Sequence, residues 1–140
     1  MSSTFNDVRS AIENRIKTEM ALSPSYQVSY QNVPFSPPTN TPWIQVRIDY
    51  GDNTYATLLP TGGFGFNKQI GELTLNIFAP IGLGSGASLT IAERLKDLFD
   101  RAKFSGIIFD PMNGPNQVAP ASPEPYFQTR LTVTFEAYLD

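Results

Sequence analysis

The stretch Asn32-Val33-Pro34-Phe35-Ser36-Pro37-Pro38, followed closely by Trp43-Ile44-Gln45-Val46-Arg47-Ile48, decides the fold of this chain. The prolines between residues 34 and 42 cannot donate backbone hydrogen bonds, so this part is predicted to form a corner or an edge crossing. From Ile44 to Tyr50 every second residue is apolar, which predicts a strand with one face towards a core. Residues Tyr26 to Tyr30 alternate in the same way before the corner. The corner therefore joins a short strand to a longer one.

An amphipathic helix is predicted ahead of the corner, from Thr4 to about Met20. Its apolar residues recur at steps of three and four and form a single stripe. They are Phe5, Val8, Ile12, Ile16 and Met20. Ser3 or Thr4 can cap this helix, and Asp7 lies in the first turn, where the helix dipole favours a negative charge. Ser23-Pro24-Ser25 is predicted to end it.

The middle of the chain predicts further strands. Beyond the strand that starts at Trp43, Gly51-Asp52-Asn53 is typical of a turn, and Thr54 to Leu59 is predicted to return as the second strand of a hairpin. Pro60 to Lys68 is predicted to be a glycine-rich loop. Gln69 to Ala79 is predicted to be a central strand, because both of its faces carry apolar residues. These are Leu73, Leu75 and Ile77 on one face and Ile70 and Phe78 on the other.

A second helix is predicted after a flexible connection of residues 80–86, and it continues to about Ala102. Thr90 and Glu93 have the spacing of a capping box, which would apply if the helix began at Thr90. Its apolar residues again share one face. They are Ile91, Ala92, Leu95, Leu98, Phe99 and Ala102.

The last part of the chain predicts two strands separated by an irregular segment. Phe104 to Phe109 is predicted to be a short strand, and the proline-rich residues 111–125 are predicted to be a surface excursion. Tyr126 to Leu139 alternates and is predicted to be a long strand. The side chains expected on its core face are Phe127, Leu131, Val133, Phe135, Ala137 and Leu139.

Composition and element order together predict one domain over residues 1–140. Apolar residues make up 41% of the chain and charged residues 16%, as in a globular protein with its own core. The expected fold is α+β, with a mostly antiparallel sheet of about five or six strands and two helices packed on one face. The polar N-terminus predicts a helix rather than a signal peptide, and no apolar run reaches the roughly 20 residues that span a bilayer.

The residue inventory argues against an enzyme. The chain contains no cysteine and no histidine, so the commonest general base, the commonest metal ligand and the thiol nucleophile are all absent. We therefore expect no catalytic residues, no metal site and no cofactor. The net charge of −3 is spread without a basic cluster, which predicts that the protein does not grip nucleic acid. A wall past which nucleic acid slides stays compatible with this charge.

One segment resembles a nucleotide-binding loop. Gly82-Leu83-Gly84-Ser85-Gly86-Ala87 follows a strand, opens a helix and precedes a strand that ends in Asp110. Glycines at such a place would let the backbone approach a pyrophosphate. However, only one strand–helix–strand unit is present, and Pro80 separates its strand from the glycines. A loop that needs several positive φ angles is the favoured interpretation.

The aromatic residues near the glycine-rich loop are the best candidates for a partner contact. Phe64 and Phe66 lie between glycines, and Lys68 adds a charge for an acidic neighbour. Exposed aromatic side chains on a loop are typical anchors of an interface. The alternative is that the loop folds both rings under a neighbouring strand. Trp43, at the start of a strand, is predicted to belong to the core instead.

Taken in order, these motifs make the chain resemble the tail-terminator family of tailed bacteriophages. The resemblance covers nearly the whole sequence and rests on order and spacing rather than on any catalytic signature. It is carried by Val8-Arg9-x-Ala11-Ile12-x-x-Arg15, Asn32-Val33-Pro34-Phe35 with Pro37-Pro38, Trp43-Ile44-x-Val46, Gly71-x-Leu73-x-Leu75-x-Ile77-Phe78-x-Pro80, Ala92-Glu93-Arg94-Leu95-x-x-Leu98-Phe99 and the final alternating strand. The family pattern also implies a second helix that starts before Thr90.

The resemblance implies a structural virion protein. It would form a ring, most simply a hexamer, that caps the head-proximal end of the tail tube, ends tube growth and offers the joining surface for the head and neck. The implied partners are further copies of the chain, the tail tube protein, the head–tail connector and the sheath protein, with DNA passing through the lumen without specific binding. The protein would be assembled in the host cytoplasm and reside in the tail of the virion. The alternatives are another neck or tail-tube component of similar fold, or a nucleotide-binding domain that uses Gly82 to Ala87.

Overall fold

Two helices and a mostly antiparallel sheet form the structure, as the sequence predicted. The computed structural model describes residues 4–38, 40–55, 67–82, 84–119 and 126–139. In chain order the elements are α1 (Phe5–Met20), β1 (Gln27–Ser29), β2 (Trp43–Tyr55), β3 (Asn67–Pro80), α2 (Gly86–Phe99), β4 (Lys103–Phe104), β5 (Ile107–Phe109), β6 (Asn113–Val118) and β7 (Tyr126–Leu139). The strand order is β1-β2-β3-β7-β5-β4, and β6 pairs with β7 beside β5. Only the β1–β2 pair among these is parallel.

Helix α1 begins at the predicted cap. The Thr4 hydroxyl accepts a hydrogen bond from the backbone N–H of Asp7 at 3.2 Å, and the Asp7 carboxylate accepts one from the N–H of Thr4 at 2.9 Å. This reciprocal pair satisfies donors that the first helical turn leaves free. The predicted stripe faces the core except at its first member, since Phe5 is 52% exposed. The buried members are Val8, Ile12, Ile16 and Met20.

The predicted hairpin turn at residues 51–53 is wrong, because β2 continues through these residues to Tyr55. Its pairing with β3 shifts between Tyr50 and Asn53, so the turn-forming residues make a β-bulge instead. The side chain of Gln69 stabilises the bulge by donating to the carbonyl of Gly51 at 2.8 Å and accepting from the Asn53 amide at 3.0 Å. A return strand was predicted at residues 54–59. Its first two residues belong to β2 instead, and residues 56–59 lie outside the described residues.

Strand β3 is central, as predicted, with β2 on one side and β7 on the other. Its residues 73–79 are all buried. The register places Val46, Leu75 and Leu131 side by side on the face that meets the helices. Both helices contribute their apolar stripes to the same core as this row. The main core therefore lies between the sheet and the two helices.

Helix α2 begins four residues before the predicted capping box. Its first residue is Gly86, and the Thr90 hydroxyl donates to the Gly86 carbonyl at 3.0 Å from within the helix, so it caps nothing. The earlier start agrees with the family pattern. The helix ends at Phe99 rather than near Ala102, because the backbone becomes extended at Asp100, with a ψ of 111°, and Arg101 then has a φ of 53°.

The predicted strand at 104–109 is two strands joined by a tight turn. Ser105 and Gly106 both have positive φ angles, of 51° and 76°, as in the two-residue turns that suit the twist of a hairpin. This turn separates β4 from β5. The first of the two positive angles belongs to Ser105. The sequence therefore lacks the Asn-Gly or Asp-Gly pair that usually predicts such a turn.

The segment predicted to be an irregular excursion contains strand β6, which raises the sheet to seven strands. Strand β7 has 14 residues, so along one side it pairs with β5 near its end and with β6 near its start. Nearly all of β6 is polar and exposed, so its side chains give no alternating pattern. Residues 120–125 of the predicted excursion lie outside the described residues.

Candidate functional site

The face of the sheet opposite the helices carries a continuous polar surface, which we call the polar face. Alternation along β2, β3 and β7 brings its side chains to the same side. They are Gln45, Arg47, Asp49, Glu72, Thr74, Asn76, Gln128, Arg130 and Thr132. Together with Val118 of β6 they line an open concavity of about 460 Å³.

A hydrogen-bond network around Asn76 fixes the middle of the polar face. Asn76 is only 5% exposed, and its amide oxygen accepts from Gln128 Nε2 at 2.9 Å and from Arg130 Nε at 3.0 Å. Its amide nitrogen donates to Gln45 Oε1 at 3.1 Å. One buried amide thus links β2, β3 and β7, and a satisfied network of this kind restricts the side chains that take part.

Opposite charges balance on the polar face. Arg47 Nε lies 3.0 Å from Asp49 Oδ2, with both side chains more than half exposed. Arg130 and Glu72 are the other charged members. An exposed ion pair contributes little to stability, about 0–1 kcal/mol. Together, the four charged residues give this surface two positive and two negative groups, so neither sign is in excess.

An aromatic cluster closes one end of the polar face. The Trp43 ring stacks on Phe78 with 4.4 Å between the ring centroids, and Phe35 and Tyr126 approach it at 5.0 and 5.7 Å. The hydroxyl of Tyr126 donates to the carbonyl of Pro38 at 3.3 Å. Trp43 is 3% exposed, so its predicted burial is confirmed. The proline corner therefore packs against this cluster, with Phe35 on Trp43 and Pro38 bonded to Tyr126.

Of the three predicted contact residues, the structure describes only Lys68. Phe64 and Phe66 lie in residues 56–66, outside the described residues. Lys68 was predicted to end the loop but lies in β3, where its ammonium group is 3.0 Å from Glu136 Oε2 of β7. The hydrogen bond to Glu136 and the charge of that carboxylate raise the pKa of Lys68. An acidic neighbour thus exists within the same chain.

The glycine-rich segment before α2 has the backbone that the favoured interpretation required. Gly82 and Gly84 have φ angles of 99° and 75°, which side-chain-bearing residues rarely adopt. Strands β3 and β5 lie on opposite sides of β7, so no two adjacent parallel strands flank this segment. A dinucleotide site is built where adjacent parallel strands diverge. Asp110 is exposed, and its backbone N–H donates to the Thr134 carbonyl at 2.9 Å.

Two further features of the described residues bear on function. No three or more of their acidic side chains are grouped in a way that could hold a metal ion. Neither α1 nor α2 is long and apolar enough to cross a membrane.

A family model described as phage tail terminator protein matches residues 7–133, which is most of the chain. The chain belongs to the phage tail terminator family. A solved structure of another protein superposes on this tail terminator with a TM-score of 0.70 and 19% sequence identity, over 96% of each chain, and at this identity it supports the fold alone. No curated protein matches the sequence. The family is structural, so this tail terminator is a protein of the phage tail in the virion.

Two arginines in the motifs that suggested the family hold the helices of the tail terminator together. Arg15 Nε donates to the Leu98 carbonyl at 2.9 Å. Arg94 donates to the carbonyls of Glu19 and Pro24, both at 2.7 Å. These arginines bond carbonyls at or near the ends of α1 and α2, where helical carbonyls lack partners. Their role here is to position the helices.

An exposed aromatic pair lies at the end of the tail terminator where β2 leaves the core. Phe5 and Tyr50 are 52% and 37% exposed, and their ring centroids are 4.8 Å apart. The hydroxyl of Tyr50 donates to the Phe5 carbonyl at 3.3 Å. Partial burial raises the pKa of Tyr50, with a smaller contribution from Glu13, while Arg9 lowers it. This pair gives the described surface an exposed aromatic patch formed by α1 and β2.

Sequence reasoning missed the polar face of the tail terminator, although a signal was present. The alternation predicted for Tyr126 to Leu139 leaves Gln128, Arg130 and Thr132 opposite the core, but it does not connect them with polar residues of other strands. Polar residues also occupy every second position from residue 45 to 49 in β2 and from residue 72 to 76 in β3. Only the strand order and register place these three rows next to one another.

Proposed function

We propose that this tail terminator assembles into a closed ring, of six copies as the resemblance implies, that covers the head-proximal end of the tail tube. By covering the surface to which the next ring of tube protein would add, it ends tube growth. Its other side then receives the neck of the filled head. The observation that supports this proposal is the family match over residues 7–133.

The partners follow from this role. They are neighbouring copies of the chain, the last ring of tail tube protein, the head–tail connector and the sheath protein where the tail contracts. Assembly takes place in the host cytoplasm before the ring becomes part of the virion. DNA crosses the ring without a sequence-specific site, in keeping with a net charge of −3 and the absence of a basic cluster.

A ring is built from head-to-tail contacts, in which two different surfaces of each copy meet. We propose that Phe64 and Phe66 supply apolar anchors on one of these surfaces, towards the adjacent copy or the tube. The exposed pair Phe5 and Tyr50 supports an aromatic contact surface on this chain, because both rings are accessible to a partner. Lys68 contributes from the start of β3, where Glu136 holds its ammonium group.

Electron microscopy of the purified protein, alone and with growing tail tubes, tests the function. We expect isolated rings, and rings at one end of each tube, with tubes that stop elongating once capped. Analytical ultracentrifugation gives the copy number. Tubes made of the protein itself would identify a tube subunit, and rings that ignore tube ends but bind the connector would identify another neck component.

The nucleotide-binding alternative is tested by equilibrium dialysis with adenine and guanine nucleotides. The present proposal expects no binding at micromolar concentrations. Saturable binding that is lost when Gly84 is replaced by valine would support the alternative instead.

A further inference from the structure

We propose that Asn113, in the exposed strand β6, is a site of spontaneous deamidation that converts it into a mixture of aspartate and isoaspartate. The reaction needs only water, so the inference stands apart from the ring proposed above. It assigns a covalent modification to a motif, Asn113-Gly114, that the proposed function leaves unused.

The chemistry joins two neighbouring residues. The backbone nitrogen of Gly114 loses its proton to solvent hydroxide and attacks Cγ of Asn113, which closes a succinimide ring and releases the side-chain nitrogen as ammonia. Water then opens the ring. Opening at Cγ gives aspartate, and opening at the main-chain carbonyl carbon gives isoaspartate. The net reaction consumes one water and releases one ammonia, with no oxidation or reduction.

The sequence singles out Asn113 among the asparagines of the chain, because it alone precedes a glycine. Glycine has no side chain to hinder the approach of its nitrogen to the preceding residue, and its backbone adopts the widest range of angles. Asn116, in the same strand, is followed by Gln117. It therefore serves as a comparison within the molecule.

The structure leaves the reacting groups accessible. Asn113 and Gly114 are both exposed. The register between β6 and β7 is interrupted between Asn113 and Asn116, so Gly114 has no partner residue in β7. Among the described strands, β7 is also the only one that pairs with β6. A regular ladder therefore does not hold the backbone at the point of attack.

The fold requires the glycine that makes Asn113 reactive. Gly114 has a φ of 101°, which residues with a side chain rarely adopt. A Cβ atom at this position would lie 2.6 Å from the backbone carbonyl oxygen of Arg130, which cannot move aside without distorting β7. The reactive pair is therefore built into the irregular part of β6.

The two products differ in their effect on β6. Aspartate keeps the main chain and adds a negative charge beside Thr132, the register partner of Asn113. Isoaspartate also inserts one carbon atom into the main chain. This insertion would shift or break the pairing of residues 116–118 with β7. Isoaspartate should therefore loosen β6, whereas aspartate should not.

Peptide mapping by mass spectrometry tests the reaction in the folded protein. We expect a gain of about 1 Da, that of an amide becoming an acid, to arise roughly tenfold faster at Asn113 than at Asn116. Because the attacking nitrogen must lose its proton, the rate should rise about tenfold per pH unit near neutrality. Asn113→Gln is the matched control, since a glutamine would have to close a larger ring and should react far more slowly.

Equal rates at Asn113 and Asn116 would overturn the proposal. A reaction at Asn113 that takes place in urea but not in the folded protein would overturn it as well, because strand β6 would then protect the residue.

Hydrogen exchange tests the effect on β6. The isoaspartate form, separated from aged wild-type protein by ion exchange, is compared with Asn113→Asp and Asn113→Gln. We expect the amide hydrogens of residues 116–118 to exchange roughly tenfold faster in the isoaspartate form, because local opening becomes easier. Both variants should keep the exchange rates of fresh wild-type protein. Equal exchange in all samples would contradict the loosening of β6 by isoaspartate.

Discussion

At the scale of single residues, Gly71 of β3 leaves room for the ring of Phe135, its register partner in β7. A Cβ atom at this position would lie 2.3 Å from the Cζ atom of Phe135, far inside any normal contact. Phe135 is 1% exposed and is surrounded by other rings, among them Phe109 at 5.5 Å, so it cannot easily move away. The glycine of the Gly71-x-Leu73 motif is therefore required by packing.

We predict that Gly71→Ala lowers the free energy of unfolding by about 1–3 kcal/mol, the usual effect of overpacking a core. Gly51→Ala is the matched control, because a Cβ there would meet its nearest atom, the Ile70 carbonyl oxygen, at an ordinary 3.8 Å. Urea denaturation followed by circular dichroism measures both. Equal midpoints for the two variants would show that Phe135 can be displaced at no cost.

A buried hydroxyl offers the opposite effect. Ser88 of α2 is 0% exposed, and its Oγ has no hydrogen-bond partner among the described residues. Removing an unsatisfied buried polar group removes its desolvation penalty, so Ser88→Ala should stabilise the protein by about 1 kcal/mol. Ser85→Ala is the control, since Ser85 is exposed and makes no capping bond. A loss of thermal stability in Ser88→Ala beyond that of the control would contradict this account.

Asp100 makes stability depend on acid pH. Its carboxylate accepts a hydrogen bond from the Met112 N–H at 2.8 Å, and this bond, with smaller contributions from Arg101 and Lys96, holds the pKa of Asp100 below its ordinary 3.8. A lowered folded-state pKa stabilises the fold above the ordinary pKa, and that stabilisation is lost as the pH falls through the folded value. Asp100→Asn should therefore melt below wild type at pH 7, with a gap that narrows under pH 4.

The control for this prediction is Asp97→Asn, an exposed carboxylate on the same helix. Melting curves of both variants and of wild type between pH 2.5 and pH 7 give the comparison. A gap between wild type and Asp100→Asn that stays constant over this range would show that the charge of Asp100 is not involved.

At the scale of elements, the two long inner strands carry the core. Leu75 of β3 and Leu131 of β7 are register partners, and both are 0% exposed. We predict that Leu75→Asp or Leu131→Asp prevents folding, because either places an unpaired charge between the sheet and the helices. Thr132→Asp, one residue along β7 on the opposite face, should remain folded and soluble. A Leu131→Asp variant with an unchanged melting midpoint would refute this placement of the core.

Elements with a strong local pattern were predictable from the sequence, and elements that depend on distant partners were not. The α1 stripe ending at Met20 and the alternation in β3 and β7 specify their own structure. The bulge at residues 51–53 depends on Gln69 from another strand. Strand β6 has no alternating apolar residues and exists because β7 extends past β5. The division into β4 and β5 requires a positive φ at Ser105, which its side chain does not favour.

The candidate site likewise has one part that the sequence predicts and another part that it does not predict. The burial of Trp43 was predictable, because a tryptophan at a strand start is most often part of a core. The polar face was not, since Gln45, Asn76 and Arg130 are far apart in sequence and meet only through the register. The intrachain partner of Lys68 was also missed, because Glu136 lies 68 residues later and nothing local to either residue connects them.

At the scale of the whole molecule, assembly is the activity to test. We predict that replacing Phe64 and Phe66 together by serine leaves the circular dichroism and melting of the monomer nearly unchanged but abolishes ring formation and tube capping. Buried aromatic anchors often contribute about 2 kcal/mol or more to an interface. Light scattering for the ring and electron microscopy for capping are the measurements.

The control replaces Phe35, which packs on Trp43 at 5.0 Å, by serine and should lower the melting temperature instead. If the Phe64 and Phe66 variant forms rings and caps tubes at wild-type concentration, the anchors lie elsewhere, with Phe5 and Tyr50 the next candidates. An unfolded monomer would assign both rings to the core.

The position of β7 in the sheet has a consequence for synthesis on the ribosome. β7 is the only described strand that connects β5 and β6 to the rest of the sheet, yet it follows all of them in the chain. A nascent chain that has emerged only to residue 119 would leave one edge of β3 unpaired, a 14-residue template for association with other chains. Folding must therefore wait for residues 126–139, and translation pauses before them should favour aggregation.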